Sequence, residues 1–433
     1  MNLQTKITNR SANLSIIGLG YVGLPLMVAF AEAGFKVVGI DTDLQKVDSI
    51  NRYESYIQDV PSDALLQNRD CLSATSTYDH LIDTDVVVIC VPTPLNKSGE
   101  PDMSFILAAV DEIASRLHPE MLVVLESTTY PGTTEELVLP RLTLSCKGTL
   151  EVGKQFYLAF SPERIDPGRT DWTLYSTPRV VGGITPECLQ LAELFYHCVV
   201  EKVFPVSSPR TVEITKLFEN TFRAVNIALV NELMVMCNLL GVDVWEVIEA
   251  ARTKPFGFMA FYPGPGTGGH CIPVDPQYLA WKMQMLGYNA RFVRLSMEIN
   301  NSMPRYVFDR ISKLLDSRGQ VVHTSSIVIL GVSYKANVGD LRESPALELL
   351  RLFIQEGIDV AYHDPYVREL VIEGKDLHSI SLTQENLQAA DCVVIVTPHS
   401  AIDWDLVIES SKLIIDTRNA TKDIDGQAKV TKL

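Results

Sequence analysis

The segment GTGGHCIPVDP, residues 266–276, places Cys271 in a loop that is rich in glycine and proline. A thiol is hard to bury in such a loop, whereas most of the other seven cysteines lie in segments with a strand or helix pattern. The three glycines of the loop admit backbone conformations that residues with a Cβ atom resist, and they let a ligand approach the chain closely. The pattern predicts an accessible thiol that acts on a bound small molecule.

Two kinds of chemistry use a cysteine in such a position, metal binding and nucleophilic attack. His270 and Cys271 are adjacent, and no second pair of ligands has the spacing of a metal site, so no metal is expected. A nucleophile is therefore the better interpretation. Asp275 lies four residues after Cys271 and can hold a water or a proton in the same pocket.

The segment 13–43 has the pattern of a strand, a glycine turn, a helix and a second strand. Gly18, Gly20 and Gly23 form a GxGxxG turn, and Asp41 ends the second strand 18 residues after Gly23. In the dinucleotide fingerprint these glycines admit the pyrophosphate, and the carboxylate binds a ribose 2′-hydroxyl. Asp41 would repel a 2′-phosphate, so NAD is expected rather than NADP. A structural βαβ unit without a cofactor is the alternative.

Three further segments have the pattern of a buried strand followed by a polar loop. They are 84–94, 121–132 and 157–168. The third of them delivers Glu163. Because the carboxyl ends of parallel strands line the ligand crevice, residues there are expected to contact the cofactor, with ordinary loop and cap chemistry as the alternative. The residues expected to bind the cofactor are Gly18, Gly20, Tyr21, Val22, Gly23, Asp41, Pro92, Thr93, Ser127 and Thr128.

The second half of the chain repeats this order of elements. Residues 325–365 again have the pattern of strand, turn, helix and strand, and 390–400 and 412–419 repeat the later strands. The repeat lacks GxGxxG, and its turn carries Lys335 and, further on, Arg342. These two cations lie where a phosphate would bind, which favours an anionic ligand other than a second dinucleotide. The alternative is that both are solvated charges on a loop.

Residues 207–252, between the two halves, have a helical pattern that Gly241 ends. Their apolar face is expected to pack against another subunit or domain. Lys216 and Asn220 are four residues apart, so they share one face of the helix and can reach a single site.

The expected fold class is α/β. Two Rossmann-like, doubly wound domains, 1–206 and 306–433, are joined by a central helical domain with a long helix, 207–305. The net charge of −16 argues against nucleic-acid binding, because no basic face compensates it. The N-terminus lacks the apolar stretch of a signal peptide, and no Cys-x-x-Cys pair occurs. A cytoplasmic protein with reduced thiols and no membrane partner is expected.

Seven motifs occur in the order GLGYVGLP, VPTP, EST, SPER, TKLFEN, GGHC with a following aspartate, and GVSYKANVGDLRES. Over nearly its whole length the chain resembles the UDP-glucose/GDP-mannose dehydrogenase family. The resemblance implies a four-electron oxidation of the C6 alcohol of a UDP-sugar to a carboxylate, with NAD as the cofactor. It also implies a homodimer or higher homo-oligomer, and a role in polysaccharide biosynthesis.

The resemblance implies catalytic roles for Cys271, Lys216, Asn220, Asp275 and Glu163. Cys271 captures the intermediate aldehyde as a thiohemiacetal, which is then oxidised to a thioester. Asp275, through water, and Lys216 manage the hydroxyl proton, and Lys216 with Asn220 stabilises the oxyanion. Glu163 activates the water that hydrolyses the thioester.

Substrate-binding roles are implied for Arg252, Tyr262, Gly268, Lys335 and Arg342. Lys335 and Arg342 meet the UDP pyrophosphate or the sugar, together with the backbone of the loop FYPGPG. Arg252 resembles an arginine that reaches into the site of a neighbouring subunit.

Within the family, ARTKPFGF followed by YPGPGTGGHCIPVDP is most similar to the branch that acts on N-acetylated sugars. The expected substrate is therefore UDP-N-acetylglucosamine, and UDP-glucose, UDP-N-acetylgalactosamine and UDP-N-acetylmannosamine are alternatives. The glucose branch usually carries a lysine where Val274 stands. Glucose-type members also carry a second glutamate where this chain has Pro167, a departure that bears on the NAD contacts.

Two other functions are alternatives. A two-electron dehydrogenase of the 3-hydroxyacid or 6-phosphogluconate type would share the Rossmann and helical core, but it would need no thiol and no second Rossmann-like half. An inactive nucleotide-sugar or NAD-binding regulator would have no need of the cysteine, lysine and glutamate, all of which are present.

Overall fold

The structure is a computed structural model that describes residues 1–433 except 58, 97, 146–148, 166–170 and 425–428. The chain forms two compact units. The first unit comprises Met1–Glu219 and Trp281–Gly287, and the second comprises Asn220–Ala280 and Tyr288–Leu433.

The first unit is built on an eight-stranded sheet. Its strands are β1 (Asn13–Ile17), β2 (Lys36–Ile40), β3 (Leu72–Thr75), β4 (Val86–Ile89), β5 (Leu122–Leu125), β6 (Tyr157–Phe160), β7 (Arg179–Gly183) and β8 (Val203–Val206). Their spatial order is β3-β2-β1-β4-β5-β6-β7-β8, and each pair of neighbours is parallel except β6 and β7. The order reverses between β1 and β4, as in a doubly wound Rossmann fold, where ligands bind at that point.

Helices connect most of these strands, as parallel pairing requires. The helices up to Tyr196 are α1 (Leu3–Thr8), which precedes β1, and α2 (Gly23–Glu32), α3 (Leu44–Asn51), α4 (Ser62–Gln67), α5 (Ser104–Ser115), α6 (Leu139–Ser145) and α7 (Pro186–Tyr196), with a 3₁₀ turn at Asp79–Asp83 and a π turn at Thr134–Val138. Strands β4 and β5 have the sequences VVVI and LVVL, and all of their residues are buried. Continuous apolar runs of this kind suit a parallel sheet that is covered on both faces.

A long helix, α8 (Pro209–Leu240), follows β8. Ser208 Oγ accepts the N–H of Thr211 at 3.2 Å and so caps the first turn, while Pro209 stands where no N–H is needed. Gly241, with φ of 69°, ends the helix in the left-handed conformation. In the part of the chain that the structure describes, α8 is the helix that is long and apolar enough to cross a membrane, which by itself is weak evidence for a span.

The second unit combines further helices with a smaller sheet. The helices are α9 (Val244–Arg252), α10 (Asp275–Met285, whose last turns belong to the first unit), α11 (Arg291–Ser317), α12 (Pro345–Gln355), α13 (Gln384–Ala389) and α14 (Trp404–Ser410), with a 3₁₀ turn at Val322–Thr324. The strands are β9 (Ser326–Leu330), β10 (Asp359–His363), β11 (Glu369–Ile372), β12 (Lys375–His378), β13 (Cys392–Ile395), β14 (Ile414–Asp416) and β15 (Val430–Lys432).

Five of these strands form a parallel sheet in the order β10-β9-β13-β14-β15, and β11 and β12 form an antiparallel hairpin. The order matches β2-β1-β4-β5-β6 of the first unit, so the second Rossmann-like fold predicted from the repeat is confirmed. Trp245 of α9 and Ile311 of α11 belong to the same buried cluster as Ile329 of β9. The central helices and the second sheet therefore share one core, and the α/β fold class is confirmed.

Candidate active site

The glycine turn after β1 is tight on one side and open on the other. Gly18 has φ of 92°, and a Cβ atom there would lie 2.6 Å from the carbonyl oxygen of Cys90. A Cβ atom on Gly23 would lie 1.9 Å from the carbonyl oxygen of Gly18. At Gly20 a Cβ atom would meet no described atom within 4 Å. The turn therefore requires glycine at two positions and keeps space at the third, as close approach of a pyrophosphate demands.

Asp41 lies directly after β2, beside this turn. Its carboxylate accepts the N–H of Leu19 at 2.8 Å and that of Asp43 at 2.9 Å, and Lys46 lies 3.2 Å from it. These contacts hold the carboxylate at the carboxyl end of β2, where a ribose hydroxyl binds in this fold. The open side of Gly20 and the position of Asp41 fit NAD.

The other residues predicted to bind the cofactor lie at the same edge of the sheet. Tyr21 is exposed and Val22 precedes the first residue of α2, so both belong to the turn. Pro92 and Thr93 follow β4, whereas Ser127 and Thr128 follow β5. The hydroxyl of Ser127 donates to the carbonyl of Val91 at 2.7 Å, so this side chain joins the two loops.

Glu163 and Lys216 are in contact in the first unit. Lys216 is 9% exposed, and its Nζ donates to the backbone carbonyl of Glu163 at 2.7 Å. The Glu163 carboxylate accepts the N–H groups of Arg164 at 2.6 Å and Ile165 at 2.9 Å through Oε1. Its Oε2 accepts from the guanidinium of Arg179 at 2.5 Å. This arrangement fixes the ammonium group of Lys216 on the backbone of Glu163 and fixes the Glu163 carboxylate on Arg179 and two backbone N–H groups.

Arg179 also contacts a second carboxylate, Glu126, at 2.5 Å, and the hydroxyl of Tyr196 donates to the same Glu126 oxygen at 2.5 Å. Burial disfavours the charged form of Arg179, but Glu126 and Glu163 together raise its pKa. Sequence reasoning missed Arg179, Glu126 and Tyr196 as members of the site. The signals available were a glutamate inside the EST motif and an arginine at the start of a buried strand.

The Glu126 cluster has a consequence for the pH dependence of stability. Burial raises the pKa of Glu126 to about 7, with Arg179 acting in the opposite direction and Glu163 in the same direction. A carboxyl with a higher pKa in the folded chain stabilises the fold at low pH, and this contribution is lost as the pH rises through about 7. Between about pH 6 and pH 8, the wild type is expected to lose roughly 1 kcal/mol relative to Glu126→Gln.

Melting temperatures of the two proteins at several pH values in this range test the expectation. Glu151→Gln, which changes a surface carboxylate that is 61% exposed, is the control and should follow the wild type. Parallel curves for wild type and Glu126→Gln would contradict it.

In the second unit, Cys271 is exposed and is not part of a disulfide. Its carbonyl oxygen accepts the N–H of Asp275 at 2.9 Å, so one turn of chain separates the thiol from the first residue of α10. The Asp275 carboxylate is buried and accepts from the side-chain amide of Asn220 at 2.5 Å. The structure therefore places Cys271, Asp275 and Asn220 together.

The glycines of the cysteine loop pack against the loop that follows β9. A Cβ atom on Gly268 would lie 2.6 Å from Cβ of Tyr334, and one on Gly269 would lie 2.7 Å from the ring of the same tyrosine. The N–H of Gly269 donates to the carbonyl of Arg342 at 2.9 Å. Glycine is thus needed for contact between two loops, and the thiol lies in the segment next to Lys335 and Arg342.

Arg342 and Lys335 belong to the loop between β9 and α12. The guanidinium of Arg342 pairs with Asp340 at 2.6 Å and remains partly exposed. Asn337, between them in sequence, has φ of 64°, and its N–H donates to Nδ1 of His399 at 3.0 Å.

The side chain of His399 is fully buried, and its Nε2 lies 3.0 Å from the carboxylate of Asp364, also fully buried. Asp364 further accepts the N–H groups of Val332 and Ser333. Sequence reasoning gave Asp364 no role in the site and missed His399. Together with Asn337 they anchor the cationic loop.

Arg252 and Tyr262 form a separate group. Arg252 is exposed and pairs with Glu249 at 3.3 Å, and the hydroxyl of Tyr262 donates to Glu249 at 2.7 Å. The ring of Tyr262 stacks on Trp245 with a centroid distance of 5.9 Å. Arg252 thus lies at the surface on α9.

Among the described residues, no group of three or more His, Cys, Asp or Glu side chains could hold a metal ion. Pro167, where the chain departs from the glucose-type pattern, lies outside the described residues.

Models of one protein family match the chain in three segments. The UDP-glucose/GDP-mannose dehydrogenase family's NAD binding domain matches residues 12–200, its central domain matches 210–302, and its UDP binding domain matches 328–423. The three matches follow the order of the first sheet, the long helix with the cysteine loop, and the second sheet.

Individual proteins are similar to this chain over nearly its whole length. It is 36% identical over 418 residues to the NDP-N-acetyl-D-galactosaminuronic acid dehydrogenase of Ralstonia solanacearum, covering 94% of this chain and 95% of that protein. The solved structure of UDP-D-ManNAc dehydrogenase from Pyrococcus horikoshii has a TM-score of 0.87 and 32% identity, covering 97% and 98%. The UDP-N-acetyl-mannosamine dehydrogenase of Staphylococcus aureus has a TM-score of 0.82 and 31% identity, covering 97% of each chain. The chain therefore belongs to the UDP-glucose/GDP-mannose dehydrogenase family, as an NAD-dependent UDP-sugar dehydrogenase.

Proposed function

We propose that this enzyme oxidises the C6 alcohol of an N-acetylated UDP-hexosamine to the uronic acid in two successive oxidations. The observation that carries the proposal is the exposed thiol of Cys271, one turn from the buried Asn220–Asp275 pair. A two-electron dehydrogenase needs no such thiol, whereas a four-electron enzyme needs a nucleophile to retain the aldehyde between its two oxidations.

The cofactor residues would act as follows. The turn Gly18–Gly23 would hold the pyrophosphate and Asp41 the adenosine ribose, while Thr93, Ser127 and Thr128 line the same edge. NAD⁺ supplies a hydride acceptor for each of the two oxidations.

In the first oxidation, the hydroxyl proton must leave as hydride departs from C6. Asp275 holds a water, and Asn220 fixes the orientation of its carboxylate through the 2.5 Å hydrogen bond. Lys216 and Asn220 stabilise the negative charge that develops on the C6 oxygen. Cys271 then adds to the aldehyde as thiolate, which forms a C–S bond and a thiohemiacetal.

The second oxidation converts the thiohemiacetal on Cys271 to a thioester. Hydrolysis needs a base that takes a proton from water while the C–S bond breaks and the thiolate leaves. Glu163 suits this role because its carboxylate is held by two backbone N–H groups and by Arg179 while staying 14% exposed. Lys335 and Arg342 bind the UDP phosphates, as their loop and its match to a UDP binding domain favour.

The configuration of the sugar is the most specific assignment in the proposed function. The resemblance of motifs favoured UDP-N-acetylglucosamine, but the similar proteins are named for N-acetylmannosamine and N-acetylgalactosaminuronic acid. These names support the N-acetyl group and favour the manno and galacto configurations over gluco. UDP-glucose is the remaining alternative.

The test is the number of NADH molecules formed per sugar consumed, measured with the three N-acetylated UDP-hexosamines and with UDP-glucose side by side. Two NADH per N-acetylated sugar, with kcat/KM at least about tenfold above that for UDP-glucose, is the expected result. One NADH per sugar would overturn the four-electron reaction. A preference for UDP-glucose would overturn the N-acetyl assignment while leaving the chemistry intact.

The hydrogen bonds of His399 predict an effect on UDP binding. Replacing His399 by alanine removes the acceptor of the Asn337 N–H and a partner of Asp364, so the loop of Lys335 and Arg342 loses its support. The dissociation constant for UDP is expected to rise about tenfold, roughly 1.4 kcal/mol, with NAD⁺ affinity unchanged. Calorimetry with each ligand measures both, and His378→Ala, at an exposed histidine of the same unit, is the control. An equal loss of both affinities would contradict the anchor.

We further propose a cytoplasmic homodimer in which Arg252 meets the partner's substrate. The support is the apolar surface of α8, where Leu229, Met236, Leu239 and Leu240 are exposed by 46% to 85%. Faces of this kind mark protein interfaces. Light scattering of Leu229→Glu should show a monomer, and an unchanged mass would count against this face.

The division into domains 1–206, 207–305 and 306–433 likewise stays our proposal.

A further inference from the structure

The cluster of Glu163, Arg179, Glu126 and Tyr196 joins four elements of the first unit. Glu163 follows β6, Arg179 begins β7, Glu126 follows β5 and Tyr196 ends α7. The guanidinium lies between the two carboxylates at 2.5 Å from each and stands over the ring of Tyr196, with 4.6 Å to the ring centroid. The arginine is therefore fixed on three sides.

Burial differs sharply among the three charged side chains of the cluster. Those of Arg179 and Glu126 are 3% and 0% exposed, whereas that of Glu163 is 14% exposed. Buried ion pairs contribute little to stability, because removing the charges from water costs about as much as their attraction returns. Pairing with Arg179 also does not bury Glu163, because the Glu163 carboxylate keeps access to solvent. The arrangement is therefore better explained by a role in positioning the accessible carboxylate of Glu163 than by a role in stabilising the core.

The hydrogen bonds of Glu163 show what is left available for chemistry. A carboxylate has about four acceptor positions. Donors among the described residues fill two on Oε1, from Arg164 and Ile165, and one on Oε2, from Arg179. About one position on Oε2 is left, next to the guanidinium, for the proton of a water.

We propose that Arg179 is a positioning residue that fixes Glu163 for hydrolysis of the Cys271 thioester, and that Glu126 and Tyr196 fix Arg179. The inference rests on the proposed function. In the step it serves, water oxygen forms a bond to the acyl carbon and its proton passes to Glu163 Oε2. The C–S bond then breaks, Cys271 leaves as thiolate, and the carboxylic acid formed on the sugar loses its proton to solvent and is released as the carboxylate. The step needs no oxidant or reductant.

A misplaced base slows hydrolysis without slowing the two oxidations that precede it. Arg179→Met is therefore expected to give a rapid burst of two NADH per active site, followed by steady turnover about 10²-fold slower than wild type. Intact-protein mass spectrometry during turnover should show the acyl adduct on Cys271. Arg179→Lys retains a cation that reaches one carboxylate, so part of the rate should return.

The reference is Glu163→Gln, which removes the base itself and should show the same burst. The matched control is Arg141→Met, because Arg141 also pairs with a carboxylate, Asp111, but at the surface. It should behave as wild type. Tyr196→Phe removes the hydrogen bond from the tyrosine hydroxyl to Glu126 but keeps the arginine. Hydrolysis is expected to be several-fold slower, with a visible burst of NADH. This variant keeps the proposal testable if Arg179→Met does not fold.

Two results overturn the proposal. One is turnover of Arg179→Met at the wild-type rate. The other is a fall of burst amplitude and steady rate together, in Arg179→Met or Tyr196→Phe, which is what a purely structural role would give. The proposed function fails separately, if wild type releases one NADH per sugar or Glu163→Gln accumulates no adduct. A burst in Glu163→Gln without one in the Arg179 and Tyr196 variants would overturn the positioning role alone.

Discussion

Cys271→Ser is expected to lose the second oxidation almost completely. Serine has nearly the same size, so binding of the UDP-sugar should persist, but a hydroxyl is a far weaker nucleophile than a thiolate and its ester cannot replace the thioester. The rate of uronic acid formation should fall by about 10³-fold or more. NADH per sugar and product mass, followed with the preferred UDP-sugar, measure the effect.

The control for this variant is Cys71→Ser, since Cys71 is a partly exposed thiol of the first unit. It should retain wild-type stoichiometry and rate. If Cys271→Ser still released two NADH per sugar at a comparable rate, the loop thiol would have no covalent role and the two-electron chemistry of hydroxyacid dehydrogenases would return as the explanation.

Lys216→Ala is expected to have the second large effect. Its side chain is nearly buried and donates to the carbonyl of Glu163 at 2.7 Å, so the lysine supplies a fixed positive charge as well as support for Glu163, the proposed base. A preorganised charge that meets a developing oxyanion accounts for about 3 to 4 kcal/mol of catalysis. The value of kcat should therefore fall by about 10²- to 10³-fold, with a much smaller change in KM.

Steady-state kinetics and single-turnover NADH formation distinguish the two roles of Lys216. Loss of oxyanion stabilisation slows the first hydride transfer, whereas loss of support for Glu163 slows only hydrolysis. Lys154→Ala, which removes a lysine that is 70% exposed and paired with Glu151, is the control. A kcat within about twofold of wild type for Lys216→Ala would rule out both roles.

Much of the fold was accessible from local patterns. The GxGxxG turn was predicted because Gly18 and Gly23 occupy positions that the turn geometry closes to any Cβ atom. The end of α8 was predicted at Gly241, which adopts the left-handed conformation there. Continuous apolar runs such as VVVI predicted buried parallel strands. Each of these signals depends on residues that are near one another in the chain.

The packing role of the glycines near Cys271 could not be predicted from neighbouring residues. Their spacing indicated an unusual backbone and an accessible thiol. The reason for glycine at 268 and 269 is the ring and Cβ of Tyr334, more than sixty residues later in the chain. Helical periodicity alone would also make Lys216 and Asn220 solvent-exposed, whereas the structure buries both.

The sequence by itself therefore determined the two Rossmann-like halves, the glycine turn with its carboxylate, and an exposed cysteine, because backbone geometry and apolar periodicity are set by near neighbours. The tertiary structure alone decided which charged groups meet. Arg179 and Glu126 are 53 residues apart, Asn220 and Asp275 are 55 apart, and His399 and Asp364 are 35 apart. Such pairs follow from strand order and loop packing, and a buried charge is tolerated only where these bring a partner to it.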